Sequence, residues 1–482
     1  LGILFKQKNK MKAINKIYVN GEFVTPHGME VLDMISPVTN QKTGEVTLGD
    51  EVDTQNAVAA AKEAFKTFSK TTREERIAYL EKLRSIISRR AKDLTDVMVE
   101  EYGGTFQFSS MVTQNMLNDI SAMIDTLKDF DFVQPTGNSK VYLQPVGVVG
   151  IIIPWNMSNG FIVTKLSTAI AAGCTVVVKP SEMSVQQTQV MAECFHEVGL
   201  PKGVVNFVNG LGDVVGAEIT RNPDISKIAF TGSTIVGKII AKGAVDSMKR
   251  VTLELGGKSP SIILDDANLE ETIPTAILAA YLNSGQACAA GTRLLVPESK
   301  LDEVNAIAKA VVQNNIKVGD PKDADTVVGP MVSKKQYERV ENYIKIGLEE
   351  GAILLIGGKG KPQGLEDGNF VKATIFTNVK NNMRIAREEI FGPVLSIIPY
   401  KNDDDAIAIA NDTTYGLHAY IFSADKERAY RVASRLDAGR ICINGLSHDS
   451  KAPFGGFKQS GIGREYGIFG LEEYLEPKAI LG

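Results

Sequence analysis

Thr175-Val176-Val177-Val178-Lys179-Pro180-Ser181-Glu182 is the stretch on which the fold turns. Residues 175–178 are β-branched, three of them valines in a row without alternation, which predicts a strand over 175–179 buried on both faces. A helical pattern follows at 185–198, a strand at 204–208 and a helix at 214–220. Then come a strand at 227–231, a helix at 235–242 and a strand at 251–255. Short two-sided strands separated by helices predict a parallel sheet with helices on both faces. Such sheets take ligands at the carboxyl ends of their strands.

Working outward, the alternation continues past Gly256-Gly257 at longer spacing. Helical patterns occupy 269–283, 301–315, 334–350, 404–411 and 426–436, and strand patterns 353–356, 420–422 and 440–444. This predicts a second α/β domain, with Gly256-Gly257 as the hinge. Upstream, 53–68, 71–101 and 113–130 read as helices, the second ended by Gly103-Gly104. Residues 132–145 are extended around a Pro-Thr-Gly-Asn turn and predict a hairpin. A lone hairpin is marginal in water, so it is expected to pack on another surface, such as a second subunit.

Composition narrows the chemistry. The chain has 482 residues, enough for about three domains, or two with an appendage. It carries 57 acids against 53 bases, a net charge of −4, which argues against nucleic-acid binding through a strong positive field. Four cysteines lie far apart with no CxxC pair, and four histidines show no metal-ligand spacing, so no metal is expected. The same scarcity of cysteine reads as a reduced, cytoplasmic protein. No apolar stretch reaches the ~18 residues of a membrane span. Met11 reads as a natural start, so residues 1–10 are expected to be a non-native or disordered extension.

The four thiols differ in setting. Cys174, Cys194 and Cys442 sit in apolar strand or helix patterns and read as small buried hydrophobes. Cys288 lies in Gly285-Gln286-Ala287-Cys288-Ala289-Ala290-Gly291, a loop with little bulk to shield the sulfur. It is either a nucleophile or part of a tight structural turn. Glu254 ends a strand before Gly256-Gly257 and is either a general base or the partner of Lys258. Gly232 to Gly237-Lys238 resembles a P-loop but has Ile239 where Ser or Thr would hold magnesium. Gly232 and Ser233 could still place a phosphate at a helix N-terminus. Lys179 and Glu182 either address ribose hydroxyls or belong to a capped helix start. Asn156, in Pro154-Trp155-Asn156, is a candidate oxyanion donor.

Together these segments resemble the NAD(P)-dependent aldehyde dehydrogenase superfamily over essentially the whole chain after Met11. The motifs above are joined by Glu388-Glu389-Ile390-Phe391-Gly392-Pro393, by Pro453-Phe454-Gly455-Gly456 and by Ser460-Gly461-Ile462-Gly463-Arg464-Glu465, in the expected order. The resemblance implies two doubly wound α/β domains with a β-hairpin oligomerisation arm. Residues 11–125 and 146–254 would bind the cofactor, and 255–465 would form the catalytic domain. Residues 126–145 and 466–482 would form the arm of a homodimer or homotetramer. It implies Cys288 as nucleophile, Glu254 as base and Asn156, with the Cys288 amide, as oxyanion hole. Lys165 and Glu465 would form a relay or structural pair. Ile153, Trp155, Lys179, Glu182, Gly212, Gly232, Ser233, Glu389 and Phe391 would contact the cofactor.

The implied reaction is oxidation of a small aldehyde to the acid through a thiohemiacetal and a thioester. Glu254 favours hydrolysis; the alternative is transfer of the acyl group to coenzyme A. Glu182 favours NAD over NADP, because a carboxylate near the 2′ position repels a phosphate there. The 446–451 stretch has no aromatic residue, which disfavours a quaternary ammonium substrate. His448 and Lys451 within it suggest a polar or anionic aldehyde, or simply a solvated loop.

Overall fold

The computed structural model describes residues 11–481; residues 1–10, and the expectation for them, lie outside the described part. An eight-stranded sheet runs in the order Gly461–Ile462, Arg250–Glu254, Ile225–Thr231, Val148–Ile152, Thr175–Lys179, Val205–Phe207, Ile17–Val19, Glu22–Val24. Its five central strands are parallel. Both rims are antiparallel: Ile17–Val19 pairs with Val205–Phe207, and Gly461–Ile462 with Arg250–Glu254. The N-terminal strands gave no sequence signal because they are three residues long and irregularly patterned.

Helices cover both faces. One face buries Leu80, Ile120, Ile151, Leu166, Val178 and Phe195 in one core. The other packs Ala57, Val58, Ile219, Ile228 and Ile240. Each large aliphatic side chain so buried contributes roughly 1.5–3 kcal/mol. A second, seven-stranded sheet runs Ile353–Ile356, Thr374–Thr377, Val394–Tyr400, Arg293–Pro297, Pro260–Ile263, His418–Phe422, Arg440–Ile443. It is parallel except for the Ile353–Ile356 edge.

The hairpin forms between Val133–Thr136 and Ser139–Pro145. It is completed from within the chain by Leu475–Leu481, antiparallel to Ser139–Pro145 along seven residue pairs. Helix boundaries depart from the pattern: the helix expected over 113–130 already begins at Phe106. The single helix expected over 71–101 breaks at Arg90 into Arg73–Arg89 and Ala91–Tyr102. There the Arg90 guanidinium pairs with Glu193 and Asp93, fixing the bend against the helix Val185–Val198. The helix expected to reach residue 283 ends at Ala280, because Asn283 and Ser284 are left-handed.

Candidate active site

Strand order reverses at Val148–Ile152. Thr175–Lys179 and Val205–Phe207 lie to one side of it, and Ile225–Thr231 and Arg250–Glu254 to the other. A crevice opens at such a switch point, beyond the carboxyl ends. Those ends deliver Trp155 and Asn156, Lys179, Thr231-Gly232-Ser233, and Glu254. A cavity of about 690 Å3 lies there, lined by Trp155, Asn156, Ser233 and Glu254 from the first sheet. Cys288, Glu389 and Phe391 line it from segments that flank the second sheet. The Trp155 and Phe391 rings meet edge to face, 5.7 Å between centroids, across the two halves.

The Cys288 loop is held in an unusual backbone shape. Asn283, Ser284 and Gly285 are consecutive left-handed residues, with φ of 50°, 59° and 73°. L side chains resist this region, so the surroundings must over-determine it. They do. The Asn283 side chain donates to the Asn156 carbonyl at 2.8 Å, and the buried Tyr102 hydroxyl donates to Asn283 Oδ1 at 3.2 Å. Ser284 Oγ accepts from the Gly329 amide at 2.8 Å, and Gln286 Oε1 accepts from the Val332 amide at 3.0 Å. Asn156 Nδ2 donates to the Gln286 carbonyl at 2.8 Å, which leaves its second N–H uncommitted. Cys288 is half-buried, unlike the three other thiols, which are buried. Burial, then Glu389 and Glu254, push its thiol up to about 12.

Glu254 is buried, and neither carboxylate oxygen has a hydrogen-bond partner among the described residues. Burial and the neighbouring Glu465 raise its pKa well above the ordinary carboxylate value; Lys165 and two arginines act the other way. Lys258 is not its partner: the Lys258 ammonium is buried and has no hydrogen-bond partner among the described residues. Lys165 instead forms a buried ion pair with Glu465. Gly455 gives the carboxylate room, since a Cβ there would lie 2.8 Å from Glu254 Oε1.

At the end of Thr175–Lys179, Lys179 Nζ reaches Glu182 at 3.3 Å. Ser233 caps the twelve-residue helix Thr234–Val245, accepting from the Val236 amide. That helix presents its N-terminal N–H groups at the same carboxyl edge, a setting suited to phosphate. Gly212 is exposed, and a Cβ added to it would meet nothing within 4 Å, so the backbone is open to close approach. Buried Ile153 donates its amide to the Lys179 carbonyl, tying the two strand ends together. Glu389 accepts from the Gly257 amide at 3.0 Å. The cavity joins the N-terminus of Thr234–Val245 to the Glu389 carboxylate and the Trp155 and Phe391 rings, a set suited to a nucleotide, while Ile153, Lys179, Glu182 and Gly212 do not line it.

The model for the aldehyde dehydrogenase family matches residues 23–480. The chain belongs to the aldehyde dehydrogenase family. It is 43% identical over 474 residues to a 3-succinoylsemialdehyde-pyridine dehydrogenase from a Pseudomonas species, covering 98% of this chain and 99% of that one. Among solved structures, it is similar to aldehyde dehydrogenase C from Pseudomonas syringae in complex with NAD+ and octanal. That likeness has a TM-score of 0.96 and 41% identity, over 98% of each chain. Betaine aldehyde dehydrogenase from Staphylococcus aureus, in complex with NAD+, is similar with a TM-score of 0.93 and 36% identity, over 97% of this chain and 94% of that one.

In this aldehyde dehydrogenase two side chains suggested as substrate contacts are already engaged. His448 Nε2 lies 3.1 Å from Asp119 Oδ1, and Lys451 Nζ lies 3.1 Å from Asp125. Ser450 also donates to Asp119, at 2.6 Å, so this loop is tied to the helix Phe106–Asp129. Both side chains already face a carboxylate, while Lys451 stays 63% exposed. Sequence reasoning missed Tyr102, Asn283 and Asp119. The only available signal was Asn283-Ser284-Gly285 itself, three residue types that tolerate turns.

Proposed function

We propose that this aldehyde dehydrogenase oxidises an aldehyde to the free carboxylic acid with NAD, using Cys288, Glu254 and Asn156. One observation carries the reading: Cys288, Glu254 and Asn156 line one cavity at the switch point of a parallel sheet. The nicotinamide, when bound, accepts the hydride that the aldehyde carbon gives up. Cys288 Sγ attacks the carbonyl carbon as its thiol proton leaves to water, and the free N–H of Asn156, with the Cys288 amide, takes up the charge on oxygen. Oxidation leaves a thioester on Cys288. Glu254 then removes a proton from water, whose oxygen displaces the sulfur.

Lys179 and Glu182 would hold the adenosine ribose, and Ser233 and Gly232, beside Gly212, the pyrophosphate. Glu389 and Phe391 would hold the nicotinamide ribose, with Ile153 and Trp155 forming the wall. The Glu182 carboxylate supports NAD as the cofactor over NADP. The domain reading given above stands as part of this proposal, with a cytoplasmic homodimer or homotetramer joined through the arm. Exposed Val133, Ile480 and Leu481 on the three-stranded sheet support that use of the arm.

The test uses hexanal and NAD. Cys288→Ser abolishes NADH formation; turnover near the unmodified rate refutes the nucleophile. Glu254→Gln keeps the first burst of NADH and slows the steady state; loss of the burst assigns Glu254 a different role. Free hexanoate forms without coenzyme A; a requirement for coenzyme A refutes hydrolysis.

A further inference from the structure

Deacylation puts a proton on Glu254, which is only 3% exposed and has no hydrogen-bond partner among the described residues to take it. The strand that carries Glu254 points to a way out. Thr252 and Glu254 are two residues apart on Arg250–Glu254, so their side chains share one face. The buried Lys165–Glu465 pair lies near enough to act on the Glu254 charge.

Lys227, on the neighbouring strand, is fully buried and reaches the same row: its ammonium lies 2.5 Å from Thr252 Oγ1 and 3.8 Å from Glu473 Oε2. Thr252 Oγ1 donates to Glu473 at 3.4 Å. Glu473 is the outermost member, its side chain 32% exposed to solvent. None of these three lines the catalytic cavity. Burial brings the Lys227 amine down to about 8, with Glu473, Cys174 and Glu465 opposing and Lys165 assisting. An amine in that range both accepts and releases a proton near neutrality. The Tyr474 ring, 5.1 Å from the ammonium, closes the other side.

We propose that Lys227, Thr252 and Glu473 form the outer end of a proton path that drains Glu254 through the Lys165–Glu465 pair to solvent. The proposal rests on Glu254 acting as the base. Water loses one proton as its oxygen bonds the acyl carbon and the carbon–sulfur bond breaks. That proton passes from Glu254 to the Lys165–Glu465 pair, then to Lys227 and Glu473, and into bulk water. No electron moves in these steps. Glu473 touches no substrate and acts only through the groups inside it.

The experiment follows decay of the acyl-enzyme by rapid quench after a hexanal–NAD burst, in dilute buffer of low proton-carrying capacity. Glu473→Gln and Lys227→Met are expected to keep the NADH burst and slow the decay about tenfold. Added imidazole, a small proton carrier, restores it. The solvent deuterium effect on the decay rises. A decay unchanged in Glu473→Gln, or slowed but indifferent to imidazole, overturns the path. If Lys227→Met does not fold, Thr252→Val takes its place with the same expectation. Glu254→Gln separates the two readings: normal decay in that variant refutes the base itself, whatever Glu473 does. Slow decay there beside normal decay in Glu473→Gln refutes the path alone.

Discussion

Gly285→Ala is expected to cripple turnover without unfolding the enzyme. Gly285 has φ of 73°, where an alanine is strained by about 1–2 kcal/mol. Space is the larger problem. A Cβ at this position lands 2.7 Å from Pro393 N and closer still to the Gly392 carbonyl. Ordinary contacts begin near ~3.5 Å, so one of two backbones must move by about 1 Å. Both matter, since Cys288 follows on one and Phe391 precedes on the other. A misplacement of about 1 Å costs on the order of 100-fold in rate, or about 2.7 kcal/mol at the transition state. The assay is kcat/KM for hexanal with NAD, beside circular dichroism. Gly445→Ala is the control, because nothing lies within 4 Å of its Cβ position. A Gly285→Ala enzyme within threefold of the unmodified rate would refute the argument that this backbone aims Cys288.

Other outcomes follow from the charges. Glu254 works only when ionised and its pKa is raised, so the rate of deacylation climbs with pH at values above the ordinary carboxylate range. Lys165→Met moves that limb to higher pH and Glu465→Gln to lower pH; shifts in the same direction contradict the assignment. Without cofactor, Cys288 should react slowly with iodoacetamide at pH 7, and Glu389→Gln should speed it, as followed by mass spectrometry. A slower reaction in that variant rejects the Glu389 contribution. Buried Lys258 is lowered to about 7 from 10.5, so the unfolded chain binds the extra proton between those values and stability rises with pH there. Lys258→Met should therefore raise the thermal midpoint, more at pH 7 than at pH 10; an equal or smaller gain at pH 7 removes the ammonium as the cause.

The parallel sheet was legible because buried strands such as Thr175–Lys179 and Ile225–Thr231 leave largely apolar runs, whereas Val148–Ile152, at the sheet's centre, was not read as a strand. Cys288 and Glu254 stood out because neither is explained by packing in its own segment. What escaped was set by distant partners. Nothing near Tyr102 in sequence says that its hydroxyl steadies Asn283, 181 positions away. Asp119 reads as one more charge on an amphipathic helix until His448 and Ser450 close on it. Short edge strands such as Ile17–Val19 carry too few residues to show a period.

The strand that carries Glu254 acquires its outer neighbour, Gly461–Ile462, only from the far end of the polypeptide. During synthesis that strand therefore waits as a bare edge while about 200 further residues emerge from the ribosome. An unpaired edge invites the wrong partner for all of that interval. A ribosome that stops early would release a chain whose first sheet is nearly whole yet unsealed beside its carboxylate. Such fragments are expected to be sticky and inactive, so folding quality control should bear most heavily on nascent chains short of residue 462.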